Sequence, residues 1–307
     1  MSHDFHSLSE AFYARVKRDP VLRPLFPGKT LHCAIEELSA FLVQHFGGPN
    51  EDTQRRWWVS LRESHARFQI GAKERDAWLA DMYQTLEERR LSHLRPFFEQ
   101  TSAYIAHLDA PGVPPEILER DEAVAAVRRG EIPPPIANRS VFVGLLGLMI
   151  RGRNEVQLAY VRNHLSADPG LVNERYGGRT LLQETVGSGN LALVELLLEL
   201  GADLNAGYHT ALYSVANECR KGGGDIVRTL VAAGARVNFA EGSKRCTPLH
   251  MAARRGNVET AEALLDCGAD IDVRDSKGDT PLQRALNCRK PELASLLLAR
   301  GARHATQ

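Results

Sequence analysis

Apolar residues recur every three or four positions over four stretches of the first hundred residues. Phe5, Leu8, Phe12 and Val16 form one stripe; Leu31, Ala34, Ile35, Leu38, Phe41, Leu42 and Phe46 form the next. A third runs through Trp78, Leu79, Met82 and Leu86, and a fourth through Phe97, Phe98, Thr101, Tyr104, Ile105 and Leu108. That spacing puts each set on one helix face, so residues 1–109 are expected to form a small all-α domain. Ser7 with Glu10 reads as a capping box for the first helix, Asp19-Pro20 as its stop, and the Gly47-Gly48-Pro49 run as the stop of the second.

Past residue 109 the pattern changes. The proline-rich pieces "APGVPPE" and "EIPPPIA" frame a short helical pattern, "ILERDEAVAAVRRG", so residues 110–137 read as a semi-rigid linker with one short helix. From residue 178 the chain repeats itself, with Gly201, Gly234, Gly268 and Gly301 at matching points. Thr247 to Ala252 reads "TPLHMA" and Thr280 to Ala285 reads "TPLQRA", with weaker copies headed by Thr180 and Thr210. A period near 33 residues with that motif resembles ankyrin repeats. Threonine caps the first helix of each unit, proline suits its first turn, and the glycines close the helices. "NEVQLAYVRNHLSADPGLVNE" reads as part of a further, divergent repeat starting near Asn138, giving about five over residues 138–307. The resemblance implies a solenoid whose concave face binds a protein partner. The insertion "ECRKGGGD" is expected to add a flexible basic loop near that partner.

Composition narrows the alternatives. Lys plus Arg and Asp plus Glu each number 38, so nothing gives the basic footprint of a nucleic-acid binder. The longest apolar run, "VFVGLLGLMI" from Val141, is half of what a bilayer needs and suits a buried helix, so no membrane span is expected. The five cysteines form no C-x-x-C pair, which argues against a zinc ribbon, a disulfide framework and covalent c-type haem. The N-terminus lacks signal-peptide features, and a reduced, cytoplasmic setting is expected.

All three tryptophans and eight of the ten phenylalanines lie before residue 110. There "AFYARVKRDPVLRPLFP", "ELSAFLVQHFGGP" and "LRESHARFQIGAKERDAWLADM" occur in order, and together they resemble a group II truncated haemoglobin over residues 5–108. The resemblance implies a truncated 2-over-2 globin fold and a non-covalent haem b, with His65 as the proximal iron ligand. A neutral imidazole suits that place, with its second ring nitrogen held by a carbonyl or similar acceptor. Tyr13 and Trp78 match the family's distal hydrogen-bond donors, Phe26 the ring packed on the haem, and Ala34 and Leu38 the distal wall. Phe68 and Met82 complete the expected pocket, Met82 being a core residue on any reading. The segment before His65 departs from the family: Trp57 and Trp58 replace small and polar residues, and Ser64 stands where an arginine is common. Arg62 and Arg67 are then the nearby cations for haem propionates. His32 and His45 are the alternatives for a second axial ligand, with Ala34 at the distal helix position arguing against one.

Three functions remain open. One is a haem protein binding dioxygen or another diatomic ligand, with ankyrin repeats serving a gas or redox sensor or adaptor. A second is a haem-dependent peroxidase or nitric oxide dioxygenase, which needs outside electrons because no G-x-G-x-x-G nucleotide motif is present. The third is a haemless scaffold, in which Tyr13, Phe26 and Trp78 only fill a core.

Overall fold

In the computed structural model, residues 4–26, 30–46, 61, 65, 68–108, 112–176, 178–207 and 209–303 are described. Trp57, Trp58, Arg62, Ser64, Arg67 and the glycine stop after Phe46 lie outside them. The described residues are helical, with strands only at Arg175–Tyr176 and Arg179–Thr180. The chain divides into two compact units, one comprising residues 1–145 and 176–178 and the other the remainder.

The first unit is built on α1 (Phe5–Val16), α2 (His32–Phe46), α3 (Ala72–Glu88) and α4 (Arg95–Ile105). These are the elements the stripes predict. The apolar faces meet in one core of Phe5, Leu8, Phe12, Val16, Leu42, Met82, Leu86 and Phe98. Each such side chain, fully buried, contributes roughly 1.5–3 kcal/mol. The α1 cap differs from expectation. Asp4, not Ser7, caps the helix, its Oδ1 accepting the Ser7 N–H at 2.9 Å. Phe5 is 1% exposed and must be helical to share a face with Leu8 and Phe12, which places Ser7 inside the first turn.

The proline-framed segment is more than a connector. Its helix α5 (Pro115–Arg128) buries Ile117, Asp121, Val124 and Val127, and both Val113 and Ile117 join the core of the first four helices. The apolar run from Val141 lies in α6 (Arg139–Gly152), where Val141, Leu145, Leu146, Met149 and Ile150 are buried, and α7 (Glu155–Ala167) follows.

The second unit stacks helix pairs: α8 (Leu181–Ser188) with α9 (Leu191–Glu199), α10 (Ala211–Glu218) with α11 (Gly223–Ala232), α12 (Pro248–Arg255) with α13 (Val258–Asp266), and α14 (Pro281–Asn287) with α15 (Pro291–Ala299). First helices pack on first helices, so each repeat buries the face its neighbour leaves open. Thr180, Thr210, Thr247 and Thr280 are the N-caps, as expected. The third residue of the cap links repeats as well. Gln183 accepts the Thr180 N–H through Oε1 and donates from Nε2 to the His209 carbonyl. His250 does the same with a ring: Nδ1 accepts from Thr247 N–H at 3.2 Å, and Nε2 faces the Asp279 carbonyl at 3.0 Å.

The expected flexible basic loop is instead a tied turn. The Cys219 carbonyl accepts from Asn257 Nδ2 at 2.6 Å, and Gly224 N–H donates to Glu259 at 3.1 Å. Gly222 at φ 72° makes the bend into α11, and so the insertion is absorbed between α10 and α11.

Candidate functional site

Four helix faces of the first unit wall one cavity of about 1130 Å³, its open mouth included. Helix α1 contributes Tyr13. Helix α2 contributes Ala34, Glu37, Leu38 and Phe41, which share a face by their spacing. Helix α3 adds Glu74, Arg75 and Trp78, and α4 adds Phe98, Thr101, Ser102 and Ile105, again one face. Leu22, Leu25 and Phe26 close one side; Leu61, His65, Phe68 and Ile70 form another.

Aromatic rings run around the cavity. Tyr13 stands edge-on to Phe26 with centroids 5.6 Å apart at 82°, and Phe26 lies 5.6 Å from Phe68. Phe12 packs behind, 5.0 Å from both Tyr13 and Trp78. His65 lies 6.3 Å from the Phe68 ring. Edge-to-face pairs of this kind hold rings in place by more than their buried area.

His65 and Leu61 are both helical, and His65 Nδ1 is 2.9 Å from the Leu61 carbonyl oxygen four residues earlier. A carbonyl only accepts, so Nδ1 carries the proton and donates. In neutral imidazole the lone pair then sits on Nε2, the state a metal ligand needs. The expected second-nitrogen acceptor is thus the Leu61 carbonyl, four residues earlier.

Tyr13 and Trp78 both line the cavity, and neither the phenol O–H nor the indole N–H has a hydrogen-bond partner among the described residues. Both donors are therefore available to an acceptor held in the cavity. Burial, with the nearby Glu37 carboxylate, pushes the Tyr13 phenol well above its usual range, so it stays a protonated donor. Glu74 is already engaged: its carboxylate accepts Gly71 N–H at 3.0 Å, and that backbone bond holds it below the usual glutamate range. Arg75 is 2.8 Å from Asp76 and is the arginine among the described lining residues.

Of the residues singled out from sequence, Tyr13, Phe26, Ala34, Leu38, His65, Phe68 and Trp78 meet at this cavity. Met82 does not. It is fully buried with Phe12 and Leu86 in the core, one helical turn beyond Trp78. His32 and His45 are not in the lining either: His32 is exposed near Glu36, and His45 stacks on Phe97. Glu37, Glu74 and Arg75 carried no sequence signal as site residues, since charged positions on a helix ordinarily read as its solvated face.

The residues fit a haem. The lining is mostly apolar, one imidazole presents a lone pair, and two donors lack acceptors. Among the described residues no group of three or more His, Cys, Asp or Glu side chains is placed to hold a metal ion. A lone imidazole is the ligand set of a metal already held in a macrocycle.

Residues 2–104 match the bacterial-like globin family, residues 177–209 an ankyrin repeat and residues 218–307 an array of ankyrin repeats. "Group 2 truncated hemoglobin YjbI" of Bacillus subtilis is 35% identical over 80 residues, which are 26% of this chain and 60% of that protein. "Ankyrin repeat and SOCS box protein 16" of Homo sapiens is 33% identical over 154 residues, 45% of this chain and 32% of that protein. "Ankyrin repeat and SOCS box protein 11" of Danio rerio is 41% identical over 104 residues, 33% of this chain and 34% of that protein. The chain spans about a third of the length of these two ankyrin relatives.

Proposed function

Because this chain is a bacterial-like globin domain followed by ankyrin repeats, we propose that the first domain holds haem b through His65 and binds a diatomic gas beneath Tyr13 and Trp78, while the repeats engage a protein partner. The observation that carries this reading is His65, tautomer set by the Leu61 carbonyl, on the wall of a cavity whose Tyr13 and Trp78 donors lack acceptors. When bound, haem supplies the iron centre that takes the gas. The chain's own residues do the rest. Leu61 orients the imidazole. Phe26, Phe68, Leu38 and Phe98 exclude water. Ala34 leaves room that a larger side chain on that face of α2 would fill. Tyr13 and Trp78 offer O–H and N–H to the partial negative charge a bound diatomic develops. Arg75 is the described cation for the carboxylate edge of the macrocycle, beside the expected Arg62 and Arg67.

Partner chemistry has its own support. Arg220, Lys221, Arg289 and Lys290 lie in the turns between paired helices and Arg254 and Arg255 end α12 in the repeat between them, and none forms an ion pair with a carboxylate among the described residues. The turns adjoin: Arg255 reaches Asn217 at 2.8 Å, and the Lys290 side chain lies over Gly256. Such a row favours an acidic protein segment.

Titration of the purified protein with hemin tests the haem assignment. One equivalent taken up, with a sharp Soret band that shifts under carbon monoxide after reduction, supports it. A colourless protein in excess hemin refutes it and leaves the scaffold reading. Turnover of peroxide or nitric oxide by the loaded protein would select the enzymatic alternative.

A further inference from the structure

The carboxylate of Asp121 sits on α5, the helix that read as linker, yet it is 9% exposed. Its Oδ1 accepts the Leu61 N–H at 2.8 Å, and its Oδ2 accepts the Tyr104 hydroxyl at 3.0 Å. Leu61 is 5% exposed, lines the cavity, and lends its own carbonyl to His65 Nδ1 at 2.9 Å. A continuous hydrogen-bonded path therefore runs from α5 through the Leu61 backbone to the imidazole. Tyr104 ties the same carboxylate to α4, whose face carries Phe98, Thr101, Ser102 and Ile105 into the cavity. Four residues before Asp121 on the same helix, Ile117 is packed in the shared core.

We propose that Asp121 is a positioning residue for His65: by holding the Leu61 N–H it fixes the residue whose carbonyl orients the imidazole, and so makes the segment leading toward the repeats part of the ligand's support. This rests on the haem reading for its consequence but not for its geometry. A ligating histidine's ring orientation depends on the partner of its second nitrogen, and here that partner is braced by a residue sixty positions later in the chain. Linkage follows in both directions. Whatever breaks the Asp121–Leu61 bond loosens the imidazole, and whatever fixes the imidazole protects that bond.

The test uses the full chain with three variants. Asp121→Ala removes both bonds, Tyr104→Phe removes only the second, and Ile117→Ala trims the same helix without touching the path. In haem-free protein, the His65 ring nitrogens are read by 15N NMR, and amide exchange of residues 112–128 is followed by mass spectrometry. In hemin-loaded ferrous protein, the iron–histidine stretching band is read by resonance Raman. Asp121→Ala is expected to move the His65 Nδ1 signal, broaden or shift the stretching band, and abolish the extra exchange protection of 112–128 that hemin confers. Ile117→Ala should lower thermal stability and leave the Nδ1 signal and the band in place. If Asp121→Ala changes stability alone, with His65 signals and band as in the parent, the positioning role is overturned. Should Asp121→Ala not fold, Asp121→Leu, which accepts no hydrogen bond and fills a similar volume, gives the same readouts, and unchanged His65 signals there overturn it. Failure of the parent to take up hemin would sink the haem reading, while the haem-free NMR result still decides the role of Asp121.

Discussion

Replacing Tyr13 by Phe removes one hydroxyl and little else. The ring keeps its edge contacts with Phe12 at 5.0 Å and Phe26 at 5.6 Å, and the hydroxyl has no partner to leave behind among the described residues. Folded stability should therefore hold, since the hydroxyl faces the cavity. The effect belongs to the gas complex. A buried hydrogen bond to a partially charged acceptor contributes about 1–3 kcal/mol, and each 1.4 kcal/mol is a factor of ten in rate. Oxygen should then leave Tyr13→Phe about 5- to 150-fold faster than the parent. The assay is stopped-flow replacement of oxygen by excess carbon monoxide. Because burial holds the phenol above its ordinary pKa, it remains a donor through mildly alkaline conditions, and the parent's rate should stay flat from neutrality upward. An unchanged escape rate, with hemin still bound stoichiometrically, would refute the donor role of Tyr13.

Trp78→Phe should also speed escape, and a double variant combined with Tyr13→Phe measures whether the two donors share one acceptor. Met82→Ala, a cavity in the core rather than in the site, should cost about 2–5 kcal/mol by chemical denaturation and leave the hemin spectrum unmoved. Burial holds His250 below the ordinary histidine pKa, so the folded repeats resist its protonation: their stability is complete above the unfolded value and falls as pH drops through it, by at most about 1.4 kcal/mol per pH unit. Gln183 already bonds its cap N–H and the next repeat's carbonyl as His250 does, so His250→Gln should match the parent near neutrality and flatten that acid loss in urea melts at stepped pH. Reversing Arg254 and Arg255 to Glu should weaken binding of a fluorescent oligoglutamate peptide at least tenfold without changing the melt; equal binding would remove the acidic-partner reading.

Local spacing made the helices and the repeat legible. Period-3.6 apolar stripes predict α1 to α4 because each helix must bury one face, and Thr-Pro-Leu runs predict caps because cap chemistry lies within four residues. The site was legible where a residue's identity matters, as with His65, Tyr13 and Trp78. It was illegible where direction in space matters. Leu22, Leu25 and Ser102 line the cavity through the angle of their elements, and Met82 misses it by one helical turn. Charged Glu37, Glu74 and Arg75 were hidden because nothing in a sequence says which face of an amphipathic helix meets a cavity edge. Asp121 was hidden for another reason: its partner Leu61 is sixty residues away, and a carboxylate among prolines and alternating charges reads as linker. The glycine-rich insertion read as loose because cross-repeat bonds such as Asn257 to the Cys219 carbonyl cannot be seen in the insertion itself.

The most direct check is chemical rescue of the axial bond. His65→Gly, loaded with hemin, reduced and exposed to carbon monoxide, should lose the parent's Soret position and iron–histidine band and regain both when free imidazole is added. A His65→Gly protein whose ferrous and carbon monoxide spectra equal the parent's without imidazole would show that some other side chain holds the iron.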